Sequence, residues 1–517
     1  MISFIARRLL ASVFVVLGAS FIVYLLMANA GDPLAFTQEI TNPTQRAQVV
    51  TAVTNALNLD VHPVARYFLW LGDLVRGDLG DSARTQLPVL DDLSGRILIT
   101  LKLVMASLVL SVSTGVTIGI VTAIRQYSGF DYLVTFFTFV FFSLPVFWVA
   151  VIIKSFGGIN FNDWLRDNAR FSLTFFVVAG IVAGVVVFSC SGGSIVRKLA
   201  VTAIGVGVTE ALLIYVSTTR WLRNPGLGPV VIALFAIGVA VGVTAVMAGL
   251  RNHKARNSAL VTAGIGIVGW FPLQWVFDNG INFGIFQDMN VWTLFLLAAV
   301  AVLVGVIVGN AFGGFDRGLS ARTAAITAFF IGVVVFVDRT MQSWDDYSEN
   351  SIIRNRPIKT IGDREGRLEG DFWLITNDTF SHLVLPTLAL MLISLASYTR
   401  YSRSSMLEVL NQDYIRTARS KGLTERTVLV RHGFRNAMIP LATVVAFDVG
   451  GLLGGAVITE TVFEWNAMGR MFQEGLLSLD PNPVMAVFLV VAVTAVVFNL
   501  LADLAYVALD PRIRIGD

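Results

Sequence analysis

The chain alternates long apolar runs with short polar stretches. Runs lie near 9–30, 98–124, 132–156, 171–190, 199–219, 229–250, 259–277, 291–312, 323–337, 380–401, 437–459 and 484–508. About 20 helical residues rise about 30 Å, the thickness of a bilayer's hydrocarbon core. The runs are continuous and do not alternate polar with apolar, so helices are predicted and not barrel strands. The pattern predicts twelve spans. The run 323–337 is short, pinned between Arg322 and Asp338, and is expected to tilt little or to re-enter.

Composition agrees. Of 517 residues, 55% are hydrophobic and 14% charged, with a mean hydropathy of +0.72. Soluble domains carry about 25% charged residues, and this chain lacks the polar surface to cover a globule of its size. The net charge of +3 is mild, and its basic residues sit mostly in short loops. That marks orientation, not nucleic-acid binding. Cys190 is the only cysteine, which excludes an intrachain disulfide and a multi-cysteine metal site.

Arg7 and Arg8 precede the apolar run 9–27 and then Ala28-Asn29-Ala30, as in a signal peptide. The run exceeds the ~7–15 residues of a signal core, so it is read as a retained first span. With the N-terminus in the cytoplasm, the inner segments 1–8, 125–131, 191–198, 251–258, 313–322, 400–435 and 509–517 hold 20 Lys and Arg. Their density is more than twice that outside. A multi-pass plasma-membrane protein with both termini cytoplasmic is expected.

The most informative polar stretch is 411–436, between the tenth and eleventh spans. It holds six Lys or Arg against Asp413 and Glu425. It reads as a short helix, a break and a second short helix. Asp413 is expected to cap the first, Gly422 to end it in the left-handed region, and Thr424 to cap the second. From the residues alone this is a basic helical hairpin or simply a well-anchored inner loop.

Arg416-Thr417-Ala418-Arg419-Ser420-Lys421-Gly422 resembles the EAA loop of binding-protein-dependent ABC importer permeases. Of the general motif only Ala418 and Gly422 survive, and its later proline falls on Arg435. The full stretch, with Asp413, Tyr414 and Arg431-His432, is similar to the first of the two paired permeases in the dipeptide/oligopeptide/nickel family. Other stretches agree in order: Arg7-Arg8-Leu9-Leu10 with Gly31-Asp32-Pro33, then 70–80, 143–148, 382–386, 454–463, Met468-Gly469-Arg470 and 509–514. The resemblance covers about 1–157 and 377–517. It implies an all-α polytopic membrane protein with a six-helix type I importer core. The segment 158–376 has no counterpart in the common form of the family and reads as an insertion of about six spans. An even number of added spans leaves the topology of the core unchanged.

The sequence has no Gly-x-x-x-x-Gly-Lys-Ser/Thr phosphate loop. The resemblance therefore implies that ATP is used by partner subunits and that this chain binds no cofactor. The implied partners are a second homologous permease, two ATP-binding subunits and an extracytoplasmic substrate-binding protein. Asp413, Tyr414, Arg416, Ala418 and Gly422 are the residues implied to couple to the ATPases. The external segment 31–95 and the loop 460–483 would face the binding protein. Peptides are the implied cargo, with nickel, glutathione or another small solute as alternatives.

A membrane enzyme or lipid flippase built around the insertion and a passive channel are the rival classes. His62, His253, His382 and His432 are scattered, and no catalytic cluster stands out. Ionisable residues inside spans are functional candidates by default. Asp448 is mid-span in the core and is a candidate for the substrate pathway. Glu210 is mid-span in the insertion. Lys154 and Asp503 lie near span ends, where they can snorkel to the interface. The pairs Gly115/Gly119, Gly180/Gly184, Gly238/Gly242, Gly305/Gly309 and Gly450/Gly454 are read as helix packing.

Overall fold

The computed structural model describes residues 2–167, 169–278 and 289–509. The closing stretch 510–514 and the expected cytoplasmic C-terminus lie outside the described residues. In chain order the helices are α1 (Ile2–Ala28), α2 (Pro43–Leu57), α3 (Pro63–Val75), α4 (Val89–Ile124), α5 (Gly129–Ser143) and α6 (Val146–Asp167). There follow α7 (Leu173–Cys190), α8 (Ile195–Thr219), α9 (Gly228–Met247), α10 (His253–Asp278), α11 (Val291–Phe312) and α12 (Arg317–Gln342). The remainder are α13 (Trp344–Ser348), α14 (Phe372–Leu410), α15 (Asp413–Ser420), α16 (Glu425–Val462), α17 (Met468–Leu477) and α18 (Pro481–Leu509). Among the described residues there is no β-strand, only an isolated bridge between Asp81 and Pro88.

Among the described residues eleven helices are long and apolar enough to cross a membrane, and α5 with α6 makes a twelfth span if that pair counts as one. The expected straight span at 132–156 is not straight. It bends by 104° between α5 and α6. Pro145 causes the break: it has no N–H to donate and it forces Leu144 out of the helical region, to ψ 128°. The expected short run at 323–337 is also corrected. α12 is a full 26-residue helix. Asp338 continues it because three donors solvate its buried carboxylate: Leu227 N–H at 2.8 Å, Trp270 Nε1 at 2.8 Å and Gln342 Nε2 at 2.9 Å.

The largest core joins α4, α14 and α16 with α17 and α18, around Leu103, Leu385, Tyr398, Leu453 and Phe463. α4 and α14 meet closely because Gly115 has no side chain: a Cβ there would lie 2.8 Å from the Cβ of Tyr398. α9, α10 and α12 form a second bundle around Ala236, Ala240, Ala259, Ala263 and Ile331. α11 packs on α12 backbone to backbone; a Cβ on Gly305 would stand 2.6 Å from the carbonyl oxygen of Ala324. α7 and α8 pack on each other and α7 also touches α5, yet little is covered: no residue is buried in α7 and only Ser217 in α8. Gly238 and Gly242 have no neighbour within 4 Å of a would-be Cβ, so this pair packs nothing among the described residues.

Candidate functional site

α14 runs 39 residues, about 58 Å at 1.5 Å per residue, so it passes beyond any hydrocarbon core. Only Asn411 and Gln412 separate it from α15. α15 is amphipathic. Ile415 and Ala418, three apart, are buried against Val428 and Val409. Asp413, Tyr414 and Arg416 point outward, with the Asp413 side chain 96% exposed and that of Arg416 70%. Ala418 is 6% exposed, so its part is to seat the helix.

Two expectations for this stretch are corrected. Asp413 is not the cap; Gln412 holds that position without a side-chain bond, and Asp413 is the first helical residue. There its charge still favours the positive helix end. The second helix is not short. Thr424 does cap it, accepting from Thr427 N–H, but the helix runs on through wide π-type turns at Val428–Phe434 into the span. The stretch is thus one short helix fastened to the first turns of α16.

The fastening is specific. Gly422 turns the chain with φ +74°, where a side chain would strain the backbone. Across that turn Arg419 donates to both oxygens of Glu425, Nη2 to Oε1 at 2.7 Å and Nε to Oε2 at 3.2 Å. Asn436 donates from Nδ2 to the Tyr414 hydroxyl at 2.9 Å. Met406 of α14 packs with Ala437 of α16 and Ala123 of α4. A load on α15 therefore reaches α14 and α16 through packed side chains.

Asp448, midway along α16, accepts from the Tyr398 hydroxyl at 2.6 Å. It lies in the core, away from α15, and is half-buried. Lys154 donates to the carbonyl of Val462, the last residue of α16, at 2.7 Å and approaches Glu464 at 4.0 Å. Asp503 pairs with Arg8 at 3.1 Å and ties α18 to α1. Glu210 is half-buried on α8, with Oε1 close to where a Cβ on Gly180 of α7 would lie.

Three further carboxylates hold the core together. Asp131 takes a two-pronged grip from Arg403 at the α15 end. Glu460, fully buried at the opposite end of α16, accepts from Thr100 Oγ1 and from the Gly469 N–H, both at 2.6 Å. Asp480 accepts from the Ser82 hydroxyl at 2.8 Å and the Ala83 N–H at 2.6 Å, joining segment 31–95 to the corner before α18. Burial pushes the Asp480 carboxyl above its ordinary range, against the pull of Ser82 and of backbone donors.

Fold and site define a multi-pass, all-helical membrane protein with a short exposed helix lashed to two of its spans. The chain belongs to the family of binding-protein-dependent transport system inner membrane components, whose model matches residues 243–515. That match begins inside the segment 158–376. The chain is 43% identical over 155 residues to the oligopeptide transport system permease protein OppB of Mycobacterium bovis, covering 30% of this chain and 48% of that protein. It is 48% identical over 137 residues to the dipeptide transport system permease protein DppB of Escherichia coli, covering 26% and 40%. To the DppB of Alkalihalophilus pseudofirmus it is 24% identical over 515 residues, 99% of this chain and 100% of that protein. In the first two matches the chain spans about half or less of the relative's own length.

Proposed function

We propose that this chain is the membrane-spanning subunit of an ATP-driven importer that carries peptides across the plasma membrane. In this reading it works with a second homologous permease, two ATP-binding subunits and an extracytoplasmic binding protein. Both termini and α15 face the cytoplasm. Residues 1–157 and 377–517 form the permease core, and 158–376 is an insertion.

One observation carries the reading. α15 offers Asp413, Tyr414 and Arg416 outward, while Ile415, Ala418 and the Arg419–Glu425 bridge bind it to the spans. A partner gripping the exposed face can move α14 and α16 together without a nucleotide site on this chain. Closing and opening of the ATPases would then tilt the core between outward- and inward-open states, with Asp448 along the path. Relatives whose names specify oligopeptide and dipeptide transport support peptides as cargo.

The test is reconstitution of this chain with its co-purifying partners in proteoliposomes. ATP-dependent uptake of a labelled di- or oligopeptide is expected. Reversing the exposed charges with Asp413→Lys and Arg416→Glu together should remove both ATPase co-purification and uptake. Uptake without nucleotide, or nucleotide hydrolysis by the isolated chain, would overturn the proposal.

A further inference from the structure

At the end of the core opposite α15, the segment between α13 and α14 folds over α6 and borders an open cleft of about 570 Å³. Its lining includes four cations, Arg354, Arg356, Lys359 and Arg367, and a single carboxylate, Glu365. Lys359 is paired with Glu365 at 3.2 Å, and Arg356 reaches Asp163 at 3.4 Å. The side chains of Arg354 and Arg367 make no hydrogen bond or ion pair among the described residues. Two exposed guanidinium groups without a salt-bridge partner thus border one concavity. The planar fork of arginine matches a carboxylate or phosphate.

The segment is built as a rigid frame. The side chain of Asn162, 4% exposed, donates to the Ile358 carbonyl at 2.6 Å and accepts the Ile358 N–H at 3.0 Å. Asp378 accepts from the Glu365 N–H at 2.9 Å, and the Gly362 N–H donates to the Phe463 carbonyl at 2.9 Å. Trp344, Tyr347 and Ile353 give the segment a small core of its own. Arg354 and Asn355 both sit in the left-handed region, at φ +57° and +56°. Two successive non-glycine residues hold that strained turn only because the frame around them is fixed.

We propose that this cleft is a binding site for one oxyanionic group, a carboxylate or a phosphate, held by Arg354 and Arg367. A solute carboxylate and a phospholipid headgroup share that chemistry. The site goes beyond the importer reading and does not depend on it, because binding is measurable on the isolated full chain without transport.

The experiment uses the purified full chain in phosphatidylcholine nanodiscs. N-acetyl-dialanine, with its free carboxylate, is titrated against the same peptide as its amide. In parallel, phosphatidylglycerol co-purifying from mixed-lipid nanodiscs is quantified by mass spectrometry. The expected result is an acid-over-amide preference of at least tenfold, or selective phosphatidylglycerol retention; the first identifies the solute and the second the headgroup. Arg354→Ala with Arg367→Ala should abolish whichever signal is found, and Arg354→Lys with Arg367→Lys, which keeps the charge but loses the fork, should leave a weakened but measurable signal at an unchanged elution profile. Neither signal in the wild type, or a signal that survives the double alanine variant, overturns the site. Loss of transport with this binding intact would count against the importer reading alone.

Discussion

The guanidinium of Arg403 spans both carboxylate oxygens of Asp131, Nε to Oδ1 at 2.8 Å and Nη2 to Oδ2 at 2.9 Å. Asp131 is 3% exposed and opens α5, whereas Arg403 stands 272 residues later on α14. The pair clamps the α4–α5 corner to the stem that carries α15. Removing one member of a buried pair strands the other charge and costs roughly 3–5 kcal/mol. The Arg403 side chain is 30% exposed, so screening places Arg403→Ala at the lower end, about 3 kcal/mol. A clear drop in apparent melting temperature in detergent is expected for Arg403→Ala. The Asp131→Asn/Arg403→Gln double variant should recover part of it, since no charge is left unpaired. Equal melting of the single variant and the wild type would contradict the clamp.

Gly422 joins α15 to α16 with φ +74° and has no atom within 4 Å of a would-be Cβ. The penalty for a side chain is therefore torsional and not steric. Alanine should cost about 1–2 kcal/mol and weaken uptake moderately. Valine is β-branched and proline is fixed near φ −65°, so both must rebuild the turn. Gly422→Val and Gly422→Pro are expected to insert at normal levels and to lose ATP-driven uptake, while the partners' ATP hydrolysis no longer responds to peptide. Normal coupled uptake in either variant would speak against α15 as the docking element.

Gly469 shows the opposite cause. Its φ is ordinary, but a Cβ would lie 2.5 Å from Oε2 of Glu460 and 2.5 Å from the Cα of Val457. The second obstacle is backbone and cannot swing aside. Gly469→Ala must push α17 off α16 and break the Gly469 N–H bond to Glu460, leaving a buried acceptor short of a donor. Overpacking costs about 1–3 kcal/mol and an unmet buried polar group about as much again. A destabilisation of several kcal/mol is expected, read as low yield of folded protein by size-exclusion fluorescence. Wild-type yield and melting would refute the close contact.

Much of this architecture was legible because a bilayer imposes continuous apolar runs. Gly422 and Thr424 were legible because their chemistry is local. Pro145 carried a visible signal, but an apolar run on both sides hid the bend. α12 was read short because Asp338 looks like a span end; its three donors come from α9's approach, α10 and α12 itself. Asp480 meets Ser82 across 398 residues, and Thr100 meets Glu460 across 360. Such partners exist only once the helices are packed, so hydropathy cannot announce them. Glu460 did fall within the quoted stretch 454–463, but only its burial reveals what it does.

Asp448 is another core carboxylate, and its one hydrogen-bond donor among the described residues is the Tyr398 hydroxyl. Tyr398 is fully buried, whereas Asp448 is half-buried. A purely structural carboxylate would need Tyr398 and nothing else. A path-lining one would also meet the cargo, whose charged ends require polar partners inside the membrane. Two variants separate these roles. Tyr398→Phe removes the donor, keeps the ring and should cost about 1–2 kcal/mol of stability, with little change in the peptide concentration giving half-maximal uptake. Asp448→Asn keeps an acceptor for the tyrosine and should fold almost as well, yet it removes the charge. For Asp448→Asn the half-maximal concentration in proteoliposomes is expected to shift at least fivefold, while that of Tyr398→Phe stays within twofold of wild type. Matching transport parameters for Asp448→Asn and the wild type would leave Asp448 as a packing partner of Tyr398 and remove it from the path.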